Sequence, residues 1–343
     1  MAKKTTIYTI AEQLGVSSTT VYRALNGKPR VSEETRNAVL KAAKDLDFKA
    51  NTLAKTLARK PLRIAVLITS GFPEFHRHVI RGVKQTEAEL RDYNTIVDYF
   101  SFDGGDNQEE EERFFTDSLR RIASGPYEGL LVQGMEAEEF QLLAKKNIPI
   151  AVVVTDIVNS GRRFCIQHNG ITAGHIAAEL LYWRLGQNAK VALATGLPDV
   201  QIHQQTVQGF LDQTVITPLD MAAVIYNHDN EALAYMNTKE LLREHPDIRG
   251  MYVNTYNSEG VIRGIREQGL AGKICLITSD LNDHLKKCLE EGTVSATIFQ
   301  NQYRQGRLGL RYLYRHIAEN LEVEDAIRIN PEVIFRSNMA LYD

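Results

Sequence analysis

From Pro61 onward the chain alternates short apolar runs with amphipathic stretches, and this alternation limits the possible folds more than any other feature. Apolar runs at Ile64 to Thr69, Thr95 to Phe100, Gly129 to Gln133 and Ile150 to Thr155 are separated by helical patterns across Phe75 to Leu90, Gln108 to Ile122 and near Glu138 to Lys146. A second series follows, with strands expected at Lys190 to Ala194, Ala222 to Tyr226, Gly250 to Val253, Lys273 to Thr278 and Ala296 to Phe299. Strands joined through helices predict parallel sheets covered on both faces, and two such series predict two lobes. A crevice between lobes is where a small ligand would sit. The acidic run Glu109 to Glu112 reads as the solvated start of a helix.

The first sixty residues follow a different pattern. Thr9-Ile10-Ala11-Glu12 forms a capping box that opens a first helix ending at Gly15, and Ser17 caps a second helix running to about Leu25. Asn26-Gly27 marks a turn, and Ser32-Glu33-Glu34 opens a third helix with acids in its first turn, where the helix dipole favours them. Val39, Leu40, Ala43 and Leu46 supply its apolar stripe, and Ile10, Leu14, Val21, Leu25, Val39 and Leu46 are expected to form most of a small core. The segment Asn51 to Lys60, closed by Pro61, is too short to hold a helix alone, so any helix there must be ordered by a partner.

Charge separates the two parts. Residues 1–60 hold twelve Lys/Arg against five Asp/Glu, a balance of +7, whereas the whole chain of 343 residues carries −3. A basic end on an acidic body suits a module that meets phosphates joined to one with another task. The three cysteines, Cys165, Cys275 and Cys288, show no C-x-x-C spacing, which supports neither a zinc site nor a disulfide framework and fits a reducing compartment. The start has no apolar signal region and no stretch approaches the roughly 20 apolar residues of a membrane span. The expected location is therefore cytoplasmic, associated with the nucleoid and away from any membrane.

Helix, glycine turn and capped second helix over Tyr8 to Gly27 give a helix-turn-helix, whose second helix can lie in a major groove with its N-terminal residues at the base edges. Ser18, Thr19 and Arg23 share an exposed face opposite Val21 and Leu25, and arginine is suited to bidentate reading of guanine. Gly15-Val16-Ser17, Thr20-Val21, Arg23, Asn26, Val31 to Arg36, and Asn51 with Leu53-Ala54 and Leu57 together resemble the DNA-binding head and hinge of the LacI/GalR family of bacterial transcription regulators. The resemblance is specific over residues 5–60 and looser across the body.

That resemblance implies an α/β fold: a three-helix head over 1–49, a hinge over 50–62, and a two-lobed periplasmic-binding-protein-like body with parallel sheets over 63–343. Lobe one is expected at about 63–165 and 300–329, lobe two at about 166–299 and 330–343. It also implies a homodimer, with higher oligomers possible, on a palindromic operator, acting as a repressor under a small effector such as a sugar or polyol. The DNA-contacting set it implies is Thr9, Ser17, Ser18, Thr19, Thr20, Tyr22, Arg23, Asn26, Asn51, Ala54 and Leu57, with Leu57 as an apolar wedge in the minor groove beside Ala54. Two departures stand out: Tyr22 replaces the usual Ser, and Ala50 stands where a proline often precedes Asn51, which leaves the hinge less pre-organised.

In the body, Phe72 and Phe75 follow the first strand and offer rings to stack on a sugar, while Asp156 and Asp280 follow later strands as acids suited to hydroxyl groups. Asn254, Asn257, Gln300 and Gln302 match the family's pocket regions by position. Thr206 stands where the family commonly has Arg, with His203 nearby as a substitute donor. Each has a plain alternative: Phe75 as core, Asp156 and Asp280 as caps of the turns that follow them, Leu57 as linker packing. No cofactor or metal is expected. An α/β enzyme lacks its parts, since neither G-x-x-x-x-G-K-[ST] nor a G-x-G-x-x-G after the first strand is present. A binding protein without a DNA-dependent role shares the body but leaves the basic head unexplained.

Overall fold

The computed structural model describes residues 7–25, 28–46, 60–68, 73–102, 108–256 and 258–342. The chain divides after Pro61 into a helical unit and an α/β unit.

The helical unit contains α1 (Ile7–Leu14), α2 (Ser18–Leu25) and α3 (Glu33–Asp45). Ile10, Val21 and Val39 are fully buried at its centre, joined by Ala11, Ala24 and Ala42. Leu14, Leu25 and Leu46 pack around them half-buried, so small alanines take inner places that the pattern had given to leucines and let the short helices approach closely. Leu40 lies on the outside of α3, 46% exposed; the buried stripe runs through Val39, Ala42, Ala43 and Leu46, as the helical repeat requires. Gly15 takes a left-handed φ of 64° in the turn between α1 and α2, where a side chain would be strained. Ser17 and Ser32 cap as expected, their hydroxyls accepting the N–H of Thr20 at 3.0 Å and of Thr35 at 3.2 Å. Thr9 does not cap α1, because the helix has already begun at Ile7.

The α/β unit is built on two six-stranded sheets. The first comprises β1 (Leu62–Ile68), β2 (Thr95–Ser101), β3 (Gly129–Gln133), β4 (Ile150–Val153), β5 (Phe164–His168) and β11 (Ala326–Ile329), in the order β11-β5-β4-β3-β1-β2 and parallel throughout. The second comprises β6 (Lys190–Thr195), β7 (Asp220–Tyr226), β8 (Gly250–Val253), β9 (Cys275–Ser279), β10 (Ala296–Phe299) and β12 (Glu332–Ile334). Its order is β12-β10-β9-β8-β6-β7, with β12 alone antiparallel. Central strands such as β3 and β4 are buried along their length and read as continuous apolar runs, whereas the edge strands β2 and β7 are half-exposed.

The chain passes between the sheets after β5, after β10 and between β11 and β12. The first passage follows His168, since β5 belongs whole to the first sheet. Helices α4 (Pro73–Glu89), α5 (Gln108–Ser124), α6 (Phe140–Lys145) and α12 (Gln302–Glu319) accompany the first sheet. The second carries α7 (Gly170–Leu185), α8 (Gln201–Ile216), α9 (Glu231–Glu244), α10 (Glu259–Glu267) and α11 (Asp283–Glu291). One glycine-lined helix pair stiffens each lobe: a Cβ on Gly82 of α4 would lie 1.9 Å from the Tyr303 carbonyl of α12, and one on Gly209 of α8 would lie 2.2 Å from the Ile171 carbonyl of α7. All three cysteines are buried as free thiols.

Candidate functional site

In the helical unit, α2 turns Val21 and Ala24 inward, which leaves Thr19 and Tyr22 exposed and Ser18 and Arg23 half-buried on the other side. Ser17 and Thr20 are already engaged, their hydroxyls 2.8 Å apart at the start of the helix. Thr9 is exposed on α1. Arg36 of α3 donates to the Ala24 carbonyl at 3.2 Å and the Lys28 carbonyl at 2.9 Å, tying down the C-terminal end of α2. Sequence patterning reads the segment around Arg36 only as part of a motif; its role as a clamp comes from bonds to carbonyls 8 and 12 residues away, which no local pattern shows. Asn26, Asn51, Ala54 and Leu57 lie outside the described residues, as do Phe72 and Asn257 of the body.

In the α/β unit, buried polar atoms without a hydrogen-bond partner gather where the parallel strands end. They include His168 Nδ1 at the end of β5, Thr195 Oγ1 at the end of β6, Asn227 Nδ2 after β7, both amide atoms of Asn254 after β8, Thr278 Oγ1 near the end of β9, and Gln302 Oε1 at the start of α12. Leaving such atoms unpaired costs about 1–3 kcal/mol each, so their concentration at one edge of the strands is the signature of a polar ligand site. Asp280, buried and with φ 69°, accepts from Gln300 Nε2 at 2.9 Å and from Gln302 Nε2 at 2.6 Å. Gln300 in turn hydrogen-bonds His168. This chain runs from the end of β9 in the second sheet, through the passage after β10, to the end of β5 in the first. Phe75 at the start of α4 is buried and meets Tyr256, beyond β8, edge to face with ring centroids 5.7 Å apart, a second link between the lobes.

The structure does not bring every expected residue to this cluster. Asp156 is paired with Arg162, whose Nη2 lies 2.6 Å from Oδ2 and whose Nη1 also reaches Asp325 at 2.7 Å. Arg162 and Asp325 stand just before β5 and β11 begin, so Asp156 is committed at the opposite edge of the first sheet, where the chain doubles back after β4. Thr206 is buried in α8 and donates its hydroxyl to the Ile202 carbonyl at 2.9 Å; with a helix bond already made, it does not stand in for a ligand-binding arginine. His203 is half-buried, its Nδ1 3.1 Å from the Leu197 N–H, and lies beside Gly196 with Asp229. Asp280, Gln300 and Gln302 are brought together, and Asn254 stands at the end of the neighbouring strand β8.

His168, Thr195, Asn227 and Thr278 were not anticipated. The signal for Thr195 and Thr278 was a polar residue closing an apolar run. His168 had none, because β5 was not expected as a strand.

Burial sets the electrostatics. It pushes the Asp280 carboxyl up to about 7 against the opposing pull of the two glutamine amides. Burial also holds His168 down to about 4, so the ring is neutral near pH 7. Asp229 is raised by burial, with His203 and His228 pulling the other way. The site therefore offers neutral donors and acceptors together with two acids, Asp280 held by glutamine amides and Asp229 beside His203 and His228.

Residues 6–51 match the lacI family of bacterial regulatory proteins, and residues 64–321 match the periplasmic binding protein domain. The chain belongs to the LacI family of transcription regulators. This LacI-family regulator is 24% identical over 334 residues to catabolite control protein A of Staphylococcus epidermidis, covering 96% of this chain and 95% of that one. It is also 24% identical over 347 residues to the HTH-type transcriptional repressor PurR of Edwardsiella ictaluri, covering 98% and 97%. Among solved structures it is similar to GanP, a glucose-galactose binding protein from Geobacillus stearothermophilus, with TM-score 0.72 and 22% identity over 82% of this chain and 99% of that one. A periplasmic solute binding protein from Actinobacillus succinogenes with bound D-allose gives TM-score 0.72 at 18% identity, over 82% and 100%. At these identities the likeness establishes the fold of the body. The LacI-family head makes the regulator a DNA-binding protein, and its body is an effector-binding domain. Among the described residues no helix is long and apolar enough to cross a membrane.

Proposed function

We propose that this regulator acts as a repressor in the cytosol, binding a two-fold symmetric operator as a homodimer and releasing or holding it according to a sugar or polyol bound between the lobes. The observation that carries the effector half is the set of unpartnered buried groups at the C-terminal strand ends of both sheets, Asn254 and Thr278 in one and His168 in the other, with Asp280 and Gln300 bridging the two. Hydroxyl-rich ligands both donate and accept, and this set requires both. GanP and the D-allose-bound protein share the fold and bind sugars by their names, which favours the same chemistry here.

For DNA, Ser18, Thr19 and Arg23 are assigned to base edges and Tyr22 to the backbone, with Thr9, Ser17 and Thr20 supporting these contacts and Asn26 assigned to DNA by the sequence resemblance alone. Asn51, Ala54 and Leu57 are assigned to a hinge over 50–62 that orders on the minor groove, Leu57 wedging between base steps. Nothing in this scheme calls for catalysis, so the protein acts by binding alone.

The test is a thermal-shift screen of sugars and polyols on the full chain, followed by operator titrations with and without each hit. A ligand bound only by the folded state raises the melting temperature. A hit that also shifts operator affinity supports the reading; hits that leave operator affinity untouched refute the sensor half.

A further inference from the structure

The hydrogen bonds around Asp280 form one connected set. Its carboxylate accepts from Gln302 Nε2 on Oδ1 at 2.6 Å and from Gln300 Nε2 on Oδ2 at 2.9 Å, with the Gln300 backbone N–H as a further donor. Gln305 Nε2 donates to the Gln300 carbonyl at 2.8 Å. Gln300 has given its amide N–H to Asp280, and its bond to His168 favours the protonated ring, so Gln300 Oε1 accepts there and the ring donates. The three glutamine nitrogens are thus engaged, while Gln302 Oε1, Gln305 Oε1 and His168 Nδ1 are buried without a partner. The set holds more acceptors than donors, and it is short of a proton or of a ligand hydroxyl that donates.

The two glutamines that hold the carboxylate are not equivalent. Gln300 is bonded through both ends of its amide, so turning it over would set its hydrogens against the N–H of His168. Gln302 is bonded through its nitrogen alone, and turning it exchanges a bare oxygen for bare amide hydrogens and breaks no other bond. A proton taken from water onto Asp280 Oδ1 would point at the Gln302 hydrogens; turning that amide converts the clash into an O–H donated to Gln302 Oε1. Tyr252 of β8, bonded to Ser279, is the titratable group among the described residues that feels the Asp280 charge. Glu332 of β12 is held by Asn301 and Tyr342, and Asp283 at the start of α11 is exposed beside Lys286. Arg328 and His203 act on His168, beyond Gln300. Burial brings the Asp280 carboxyl up to about 7, so both of its forms are populated near neutrality.

We infer that Gln302 is a proton-operated selector: with Asp280 ionised it offers the cleft a hydrogen-bond acceptor, and with Asp280 protonated its amide turns over and offers a donor. An effector that donates a hydroxyl to Gln302 then binds the ionised form and displaces the proton, which links effector binding to pH through one side chain. That Gln302 meets the effector rests on the sugar reading given above; that its amide turns with Asp280 does not. Asp280→Asn mimics the protonated state, since its Nδ2 donates where the O–H would, and it holds the amide turned at every pH.

Infrared difference spectra of the full chain between pH 5 and pH 9 test the turning amide, with Asp280→Asn as the blank that identifies the carboxyl band. Isotope labelling at the glutamine Cδ should reveal an amide C=O band that shifts with the same midpoint as the Asp280 carboxyl and is lost in Gln302→Leu. The midpoint itself separates the two glutamines. Gln300 stabilises only the carboxylate, so Gln300→Leu should raise it by about 1–2 pH units, the worth of a hydrogen bond to a charged group. Gln302 bonds both forms, so Gln302→Leu should move it distinctly less. An amide band that does not follow the carboxyl, read in the wild type alone if the variants fail to fold, overturns the inference. So does a midpoint raised as much by Gln302→Leu as by Gln300→Leu. The ligand arm is calorimetry with D-glucose, D-galactose and D-mannose at pH 6 and pH 8.5. A sugar that binds should bind about tenfold more tightly at the higher pH, where the competent form is fully populated, and the pH dependence should be absent from Asp280→Asn. An affinity that is flat or falling with pH in the wild type overturns the selection of donors by Gln302. If no sugar binds, the sugar reading fails, and the spectra still decide whether the amide turns.

Discussion

Asp280 provides the sharpest test of how the cleft is built, because its titration ties stability to pH in a direction few carboxylates show. Its native pKa lies near 7 against 3.8 for an unperturbed side chain, the cause being burial that the side-chain amides of Gln300 and Gln302 and the Gln300 backbone N–H only partly offset. Between those two values the folded state holds a proton that the unfolded chain has released. The folded state therefore binds more protons, and stability falls as pH rises from about 4 to about 7, levelling above. The slope in mid-window is about 1.4 kcal/mol per pH unit for one group.

His168 works in the opposite sense. Its pKa is held near 4 against 6.5, so below pH 6.5 the unfolded chain takes up a proton that the folded state refuses, and stability rises with pH over that range. The two contributions oppose each other in the wild type, so each masks part of the other. Asp280→Asn removes one of them while keeping the shape and tolerating the left-handed backbone. Urea unfolding at pH 5, 6, 7 and 8, followed by circular dichroism, should show the wild type gaining roughly 2 kcal/mol relative to the variant between pH 7 and pH 5. The variant alone should become less stable on acidification, as the His168 contribution is unmasked. A wild-type-to-variant difference that stays constant from pH 5 to pH 7 would refute an uncompensated buried carboxyl at this position.

The sequence made the elements buried on both faces legible and hid those that depend on tertiary partners. Gly129–Gln133, Gly250–Val253 and Ala296–Phe299 were placed to the residue because a central parallel strand must be apolar throughout and is bounded by turns. β5 ends in Gln167-His168, and β11 and β12 are three or four residues long with charged positions; their strand character comes from neighbours, not from pattern. The same distinction holds at the site. Asp280 and Asn254 could be found from their place after a strand, whereas Asp156 occupied an equivalent place and was drawn away by Arg162. Ion-pair partners six residues apart along an irregular loop leave no periodic trace. Thr206 shows the same limit, since whether a hydroxyl faces a ligand or its own helix is settled by rotamer and packing.

Gly82→Ala should destabilise the first lobe by several kcal/mol or prevent its folding, because the new Cβ would stand 1.9 Å from a backbone carbonyl that cannot move aside; thermal melting checks it, and an unchanged Tm contradicts the close approach of α4 and α12. Arg162→Met should cost about 3–5 kcal/mol by leaving the buried Asp156 carboxylate without its partner, whereas Glu319→Ala, which breaks an exposed pair with Arg315, should cost at most about 1 kcal/mol. Arg23→Ala should weaken specific binding by about 1–3 kcal/mol and relax selection at one base pair per half-site, as binding-site selection would show; an unaltered base preference refutes its assignment. The last prediction is that effector and operator are thermodynamically coupled. The chain passes between the lobes three times, and Asp280, Gln300 and His168 link these passages to both sheets, so a ligand held there has different contacts in any two lobe arrangements. A ligand with different contacts in two states must shift their balance, and reciprocity then requires operator DNA to change ligand affinity by the same factor, typically about 5- to 150-fold. Calorimetry with and without operator measures one arm and operator titration with and without ligand measures the other. Unequal factors in the two arms would show that more than one ligand-binding event is linked to DNA, and a factor of one in both would mean that the lobes do not communicate with the head.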